Sequence, residues 1–507
     1  MISQHLTIFP ILIPMLAALI QLLPLGDHPQ RIRRAIGLTS CTLLILVSVY
    51  LLVETSSGAV TSYALGSWQA PFGIVLVLDR LSALMILLTS VLALPVLIFA
   101  CFGEDNLGSH FQALYQFQLM GIIGAFLTGD LFNLFVFFEV LLISSYALLM
   151  HGGGKLKLRA TLHYVLLNLT GSAIFLISLG VLYGITGTLN MADMANKVAA
   201  LTGDEALIAR AGGLLLLIVF GLKAALLPLY FWLPQAYAMT TGTVAALFAI
   251  MTKVGVYAII RVFTLIFGDH AGEAAMLGYD WLWWLGLGTL AIGGIGVLGS
   301  RDLRLIISYL VVISVGTLLT TFSMANAQAI AAVIYYTLHS TLITGALFLL
   351  ADVIAEQRGK TASRVVKGRK MAQHATLGVL FFVAAIAIIG LPPLSGFVGK
   401  LFILEAARTG AQVALLWPLV LFSTFLIMIA LTRAGSRMFW HTFDGKPNDV
   451  SHPGLQLASI GVLIGASLAL TIFAEPVAQF SKDIAAQLLQ PTDYISTVLE
   501  HERGNHE

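Results

Sequence analysis

Charged residues are scarce in this sequence. Asp, Glu, Lys and Arg make up 10% of its 507 residues, while 58% are hydrophobic. Soluble domains carry about 25% charged residues, so a chain this poor in charge cannot cover a water-facing surface. Cysteine is nearly absent. Cys41 and Cys101 are the two thiols. Both lie in or at the end of apolar runs and read as small apolar residues, which excludes a disulfide framework and a cysteine metal site. The basic residues are scattered through loops without interleaved aromatics, so nothing points to nucleic acid. Gly152–Gly154 form a hinge-like turn in "HGGGKLK", but no P-loop pattern follows, which rejects phosphate binding. The net charge of +2 decides little; its distribution decides more.

What the chain has instead is apolar runs from end to end. A helix needs roughly 20 apolar residues to cross the hydrocarbon core. Fourteen runs qualify: 5–25, 34–54, 78–102, 111–129, 131–151, 160–186, 211–235, 243–267, 281–299, 304–323, 328–353, 374–408, 412–438 and 455–477. The expected fold class is therefore an all-α polytopic membrane protein, one bundle rather than several soluble domains. The first run lacks a basic flank and a small-residue cleavage site, so it reads as a spanning helix rather than a signal peptide. The stretch 478–500 is amphipathic and is expected at the interface or against a partner.

Orientation follows the basic loop residues. One set of alternate loops holds seventeen, including Arg31, Arg33, Arg34, Lys155, Lys157, Arg159, Arg301, Arg304 and Lys446; the other holds seven, including Arg80, Arg261, Lys482 and Arg503. The richer set is expected in the cytoplasm, with both termini outside. Helices 4–8 and 9–13 place a proline-broken helix at the same fourth position. An odd number of helices per block makes two such copies inverted, a pattern that points to a transport site. The expected division is 1–110, 111–268, 269–438 and 439–507.

Five ionisable residues sit inside apolar runs: Glu139, Lys223, Lys253, His339 and Lys400. A charge at the centre of a membrane helix costs about 2.5–3.5 kcal/mol on insertion scales, so each needs a reason. Desolvation and a nearby carboxylate pull a lysine in opposite directions, and histidine exchanges protons near neutrality. A row of Lys, Lys, His and Lys with Glu139 as a partner for Lys223 makes a plausible proton wire. Blander readings stay open: lysines snorkelling to an interface, His339 as a packing residue beside Tyr335, Tyr336 and Ser340, and Glu139 as a static counter-ion. Asp130 and Asn133 read as a helix cap. Pro228 and Pro393, the latter following Pro392, break helices seven and twelve and free the carbonyls of Ala224 and Ile389. Each break predicts a hydrated pocket.

The segments "GDLFNLFVFFEVLLISSYALL", "GLKAALLPLYFWLPQAYA" and "TKVGVYAIIR" resemble the antiporter-like membrane subunits of respiratory complex I. They resemble more closely the D-type subunit of the multisubunit Mrp-type (Pha/Mnh) sodium/proton antiporters. Nearly the whole chain takes part. Tyr230 and Tyr237 stand where complex I subunits carry histidines, and no long C-terminal extension follows; both favour the Mrp-type subunit. The resemblance implies fourteen helices with inverted five-helix repeats. It implies that Glu139 tunes Lys223, that Lys253 and His339 relay protons, and that Lys400 faces the exit path. It further implies a secondary antiporter subunit in a bacterial inner membrane, with no enzymatic chemistry and no cofactor. Its partners would be other membrane subunits, protons, sodium or another monovalent cation, and lipid. Two alternatives remain: a redox-driven proton-pumping subunit of a complex I or hydrogenase complex, and a non-translocating scaffold subunit.

Overall fold

The computed structural model describes residues 3–25, 28–443 and 450–499. Two of the basic residues that bear on orientation, Lys446 and Arg503, lie outside the described residues. Twelve helical segments among these residues are long and apolar enough to cross a membrane. The shorter apolar helices Phe111–Leu127 and His374–Ile389 stand at the two remaining expected positions.

In chain order the helices are α1 (Phe9–Leu22), α2 (Pro29–Thr55), α3 (Arg80–Ala100), α4 (Phe111–Leu127), α5 (Leu131–Leu149), α6 (Lys155–Thr186) and α7 (Met191–Ala200). There follow α8 (Gly203–Ala224), α9 (Trp232–Met239), α10 (Gly242–Phe248), α11 (Met251–Leu265), α12 (Tyr279–Gly299), α13 (Leu303–Phe322) and α14 (Ala327–Gln357). The chain continues through α15 (His374–Ile389), α16 (Ser395–Ala406), α17 (Gly410–Gly435), α18 (Gly454–Ile472), α19 (Ala474–Leu489) and α20 (Thr492–Leu499). A hairpin of β1 (Thr61–Ala64) and β2 (Val75–Leu78), paired Thr61 to Leu78, lies between α2 and α3.

Apolar character alone does not separate core from rim, but burial does. In the most apolar stretch of α10–α11 every residue is buried, and in α13 and α14 89% are; in α2 and α17 only 33% are. The interior helices therefore pack against protein over most of their surface, and the rim helices present leucine and phenylalanine outward. Helix starts are set by side-chain caps. Asp79 and Ser82 form a capping box at α3, Asp130 accepts from Asn133 N–H at α5, and Asp302 accepts from Arg304 and Leu305 N–H at α13. The Asp130 cap is the one expected.

Several boundaries differ from the sequence reading. Helix six starts at Lys155 rather than 160, because Gly152–Gly154 adopt φ of +79°, +64° and +115°, a left-handed run that glycine tolerates, and the helix follows at once. Helix eight, expected to be continuous over 243–267, is interrupted at Ala249–Ile250. No proline marks this break. The Tyr237 hydroxyl donates to the Phe248 carbonyl at 2.8 Å, a tertiary contact that no local pattern announces. Arg261, expected in a loop, is buried in α11 and paired with Asp79 at 2.7 Å. The amphipathic tail packs one face on the chain's own bundle. In α19, Ser481, Ile484, Ala485 and Leu488 are buried, with α14 and α11 among the helices it packs on.

The two five-helix blocks share local details. Asp130 and Asp302 each begin the second helix of their block. Each also forms an isolated antiparallel bridge to a residue beyond the third helix, Asp130 to Asn190 and Asp302 to Arg364. Those third helices, α6 and α14, are 32 and 31 residues long.

Candidate functional site

Both proline-marked helices are broken as expected. At the first break α8 ends at Ala224, and Ala225 turns left-handed with φ +65°. Leu226 N–H then reaches the Gly221 carbonyl at 2.8 Å, Leu227 N–H reaches Thr289 Oγ1 at 2.8 Å, and Trp232 Nε1 reaches the Leu222 carbonyl at 3.0 Å. Protein groups meet the exposed backbone. The groove beside Pro228 is lined by Leu214, Leu217, Ile218, Leu226, Leu227 and Leu229 among others, so its wall is apolar. The second break lies between α15 and α16. The Ile389 carbonyl freed by Pro393 accepts directly from Lys400 Nζ at 2.7 Å; here too a side chain takes the place expected for water.

Lys223 is 5% exposed. Among the described residues it makes no ion pair with Glu139, which corrects the expected direct pairing. α6 stands between them. Lys223 Nζ donates to Asn168 Oδ1 at 3.2 Å and to the Asn168 carbonyl at 3.4 Å. One turn on, Ser172 donates to Glu139 Oε1 and also to the Asn168 carbonyl, the latter at 3.1 Å. Asn168 and Ser172 are four residues apart, so they share one face of α6 and span the gap as a neutral bridge. Gly171 lets the helices close: a Cβ there would stand 2.5 Å from Leu222. Glu139 itself is half-buried at the edge of the bundle.

Gly255 of α11 packs on the backbone of Lys223 and Ala224, where a Cβ would lie 2.6 Å from the Ala224 nitrogen. This contact places Lys253, two residues earlier, next along the row. Lys253 is 1% exposed and lies beyond the unmarked break in helix eight. Its Nζ donates to Ser314 Oγ of α13 at 3.3 Å and lies 3.5 Å from Thr252 Oγ1. It also lines a small internal cavity with Thr337 and Ile334 of α14.

His339 follows Thr337 by two residues and is fully buried. Its Nδ1 lies 2.8 Å from Ser395 Oγ and 3.4 Å from Ser467 Oγ, and the two serines are 2.9 Å apart. The neighbours expected for it, Tyr335 and Ser340, bond elsewhere, to the Leu470 and Thr337 carbonyls; the Tyr336 ring packs on the imidazole with centroids 5.8 Å apart. Nε2 has no partner among the described residues and points at Gly396, where a Cβ would lie 2.8 Å away. One turn beyond Gly396 is Lys400, whose Nζ also donates to Thr424 of α17 at 2.7 Å.

The five ionisable residues thus lie on neighbouring helices in the order Glu139, Lys223, Lys253, His339, Lys400: hydrogen bonds through Ser172 and Asn168 join the first two, and the later steps are helix contacts at Gly255 and Gly396 and at the Thr337 wall of the Lys253 cavity. Beside them stand Asn168, Ser172, Ser314, Ser395, Ser467 and Thr424, none of which the sequence singled out. Hydroxyls and amides in apolar helices are common, and only the Asn168–Ser172 spacing carries a trace of a signal. The hydroxyls and the Asn168 amide are uncharged groups that both donate and accept hydrogen bonds.

The family described as NADH:quinone oxidoreductase/Mrp antiporter, TM matches residues 128–430. The D-type subunit of a probable K+/H+ antiporter of Rhizobium meliloti (strain 1021) is 40% identical, with 99% of this chain and 98% of that protein aligned. The D-type subunit of the Na+/H+ antiporter of Bacillus subtilis (strain 168) is 38% identical over 98% of this chain and its own full length. A chain in the solved structure of the Mrp complex from Dietzia sp. DQ12-45-1b superposes with a TM-score of 0.87 at 26% identity, covering 98% of this chain and 100% of that one. The chain therefore belongs to the NADH:quinone oxidoreductase/Mrp antiporter transmembrane family, alongside its D-type antiporter subunits.

Proposed function

We propose that this chain carries protons within a multisubunit monovalent cation/proton antiporter, a secondary transporter with no covalent chemistry of its own. The observation that carries the reading is the set of five ionisable side chains on five neighbouring spanning segments, buried to different depths and each bonded to neutral polar groups, at a desolvation cost that packing alone does not repay. Protons pass laterally between Glu139, Lys223, Lys253, His339 and Lys400. The proton gradient then drives the exchange of a monovalent cation; the relatives in Rhizobium meliloti and Bacillus subtilis are subunits of a probable K+/H+ antiporter and of a Na+/H+ antiporter.

The face carrying Arg34, Lys157 and Arg304 is the cytoplasmic one, both termini lie outside, and the bilayer is a bacterial inner membrane. Other membrane subunits complete the assembly. Helices 4–8 (111–268) and 9–13 (269–438) are inverted repeats, a reading supported by the shared broken fourth helix and the matched Asp130 and Asp302 bridges. Residues 1–110 and 439–507 flank them. The test is antiport in inverted vesicles from an antiporter-deficient host, comparing the intact complex with Lys223→Ala and following assembly on native gels. Lost exchange in an assembled complex supports the relay. Normal exchange overturns it and leaves a scaffold role.

A further inference from the structure

α14 ends beside Arg304, which pairs with its Asp352, and starts at the opposite end of the bundle. There a pocket of about 190 Å³ opens between α14, α16 and α19. A water takes up about 30 Å³ of liquid, so the pocket is too large for a bare ion. Four polar side chains line it: Gln328 in the first turn of α14, Glu405 in the last turn of α16, Arg408 just beyond, and Lys482 on α19. Three of them are charged. Among the described residues none of the three makes an ion pair or a side-chain hydrogen bond. The chain turns extended at Ala407, and Glu405 and Arg408 do not meet across it.

Two further observations set the depth and the charge of this pocket. Trp417 of α17 is 40% exposed, and its Nε1 donates to the Leu404 carbonyl at 3.0 Å, one residue before Glu405. An exposed tryptophan with a bonded ring nitrogen belongs at the membrane–water boundary, so the pocket lies at the level of lipid headgroups. α14 contributes its N-terminus. The Asn326 side chain accepts from Ala329 N–H at 2.8 Å, while the Gln328 N–H of the same turn has no partner among the described residues. The positive end of a 31-residue helix favours a phosphate. Ala331 and Phe402 supply the apolar part of the wall, and the Phe402 ring is held by Tyr335, with centroids 5.2 Å apart.

We infer that this pocket binds the headgroup of an aminophospholipid of the phosphatidylethanolamine type. The phosphate sits against Arg408, Lys482 and the start of α14. The primary ammonium reaches Glu405, and the acyl chains leave past Phe402 into the hydrocarbon. Two bases and one acid match one phosphate and one amine. Phosphatidylglycerol would leave Glu405 without an ammonium partner, and phosphatidylcholine would offer it no N–H donor. A bound headgroup ties α14, α16 and α19 together at the far end of the helix that carries Lys400. The inference does not depend on the proton relay.

The test is native mass spectrometry of the full complex in detergent, titrated with phosphatidylethanolamine and, separately, with phosphatidylglycerol. Arg408→Gln combined with Lys482→Gln is expected to weaken retention of one phosphatidylethanolamine about fivefold, the scale of an exposed charge contact. Glu405→Gln is expected to keep phosphatidylglycerol retention and to lose the native preference for phosphatidylethanolamine, a change that a merely structural glutamate would not give. Lys482→Gln alone, at an exposed position, decides the matter if the double variant fails to assemble. Equal retention by native and substituted complexes overturns the site. A native preference for phosphatidylglycerol overturns the aminophospholipid and makes the occupant an anionic lipid. Displacement of the lipid by inorganic phosphate alone overturns it too and makes the pocket a simple anion site.

Discussion

Replacing Asn168 with leucine tests the bridge between Glu139 and Lys223. Among the described residues Lys223 Nζ has two hydrogen-bond acceptors, and both belong to Asn168: the side-chain oxygen at 3.2 Å and the backbone carbonyl at 3.4 Å. Leucine fills nearly the same volume, keeps the carbonyl and removes the amide. A hydrogen bond to a charged group is worth about 1.5–3 kcal/mol. At 1.36 kcal/mol per factor of ten, losing it slows transfer between Glu139 and Lys223 by roughly 10- to 150-fold. The assay is initial-rate antiport in inverted vesicles, normalised to assembled complex on native gels. Asn168→Asp, which retains an acceptor facing Lys223, is expected to remain within about tenfold of the native rate. Native exchange by Asn168→Leu in an assembled complex would refute the bridge and require Glu139 and Lys223 to act independently.

Asp130, between α4 and α5, is pushed up from 3.8 to about 6 by burial. A raised carboxyl makes its ionised form oppose folding above pH 6, and stability recovers as pH falls from 6 toward 3.8. At 1.36 kcal/mol per pH unit the penalty reaches about 3 kcal/mol. Asp130→Asn should therefore raise the unfolding midpoint in detergent at pH 8, by an amount that shrinks below pH 6; an equal gain at pH 8 and pH 5 would count against burial as the cause. Gly396→Ala would drive a Cβ into the Ala387 carbonyl and place it 2.8 Å from His339 Nε2. Because one of those atoms is backbone, a destabilisation of about 1–3 kcal/mol is expected, read as a lower midpoint together with slowed antiport. Asp79→Ala strands the buried Arg261 guanidinium, now paired at 2.7 and 2.8 Å, at a cost of about 3–5 kcal/mol. Adding Arg261→Met should recover much of that loss, and no recovery would mean the pair is not what Asp79 contributes.

The membrane bundle, the positions of its fourteen apolar segments, two broken helices and the five ionisable residues within apolar runs are all legible in the amino-acid order. The reason is physical. Hydrocarbon tolerates almost nothing but apolar helix, so each charge or proline within a spanning run is an exception visible without coordinates. Lys223 and Lys400 stand out for that reason, and the carbonyl freed by Pro393 is identified from its spacing alone.

What those exceptions touch depends on how the helices pack. Glu139 and Lys223 look like a pair because opposite charges in a membrane should meet, yet α6 intervenes and Asn168 and Ser172 join them. The breaks look wet because freed carbonyls need donors, yet at the second Lys400 itself supplies one to Ile389, while at the first Trp232 bonds the Leu222 carbonyl rather than that of Ala224. The interruption at Ala249–Ile250 has no local cause, since Tyr237, which bonds the Phe248 carbonyl beside it, approaches from another helix. Nor does Ser314 or Ser395 carry any mark. A hydroxyl in an apolar helix can bond to its own backbone at little cost, so its role depends on which helix packs against it, and packing is a property of the bundle rather than of any one segment.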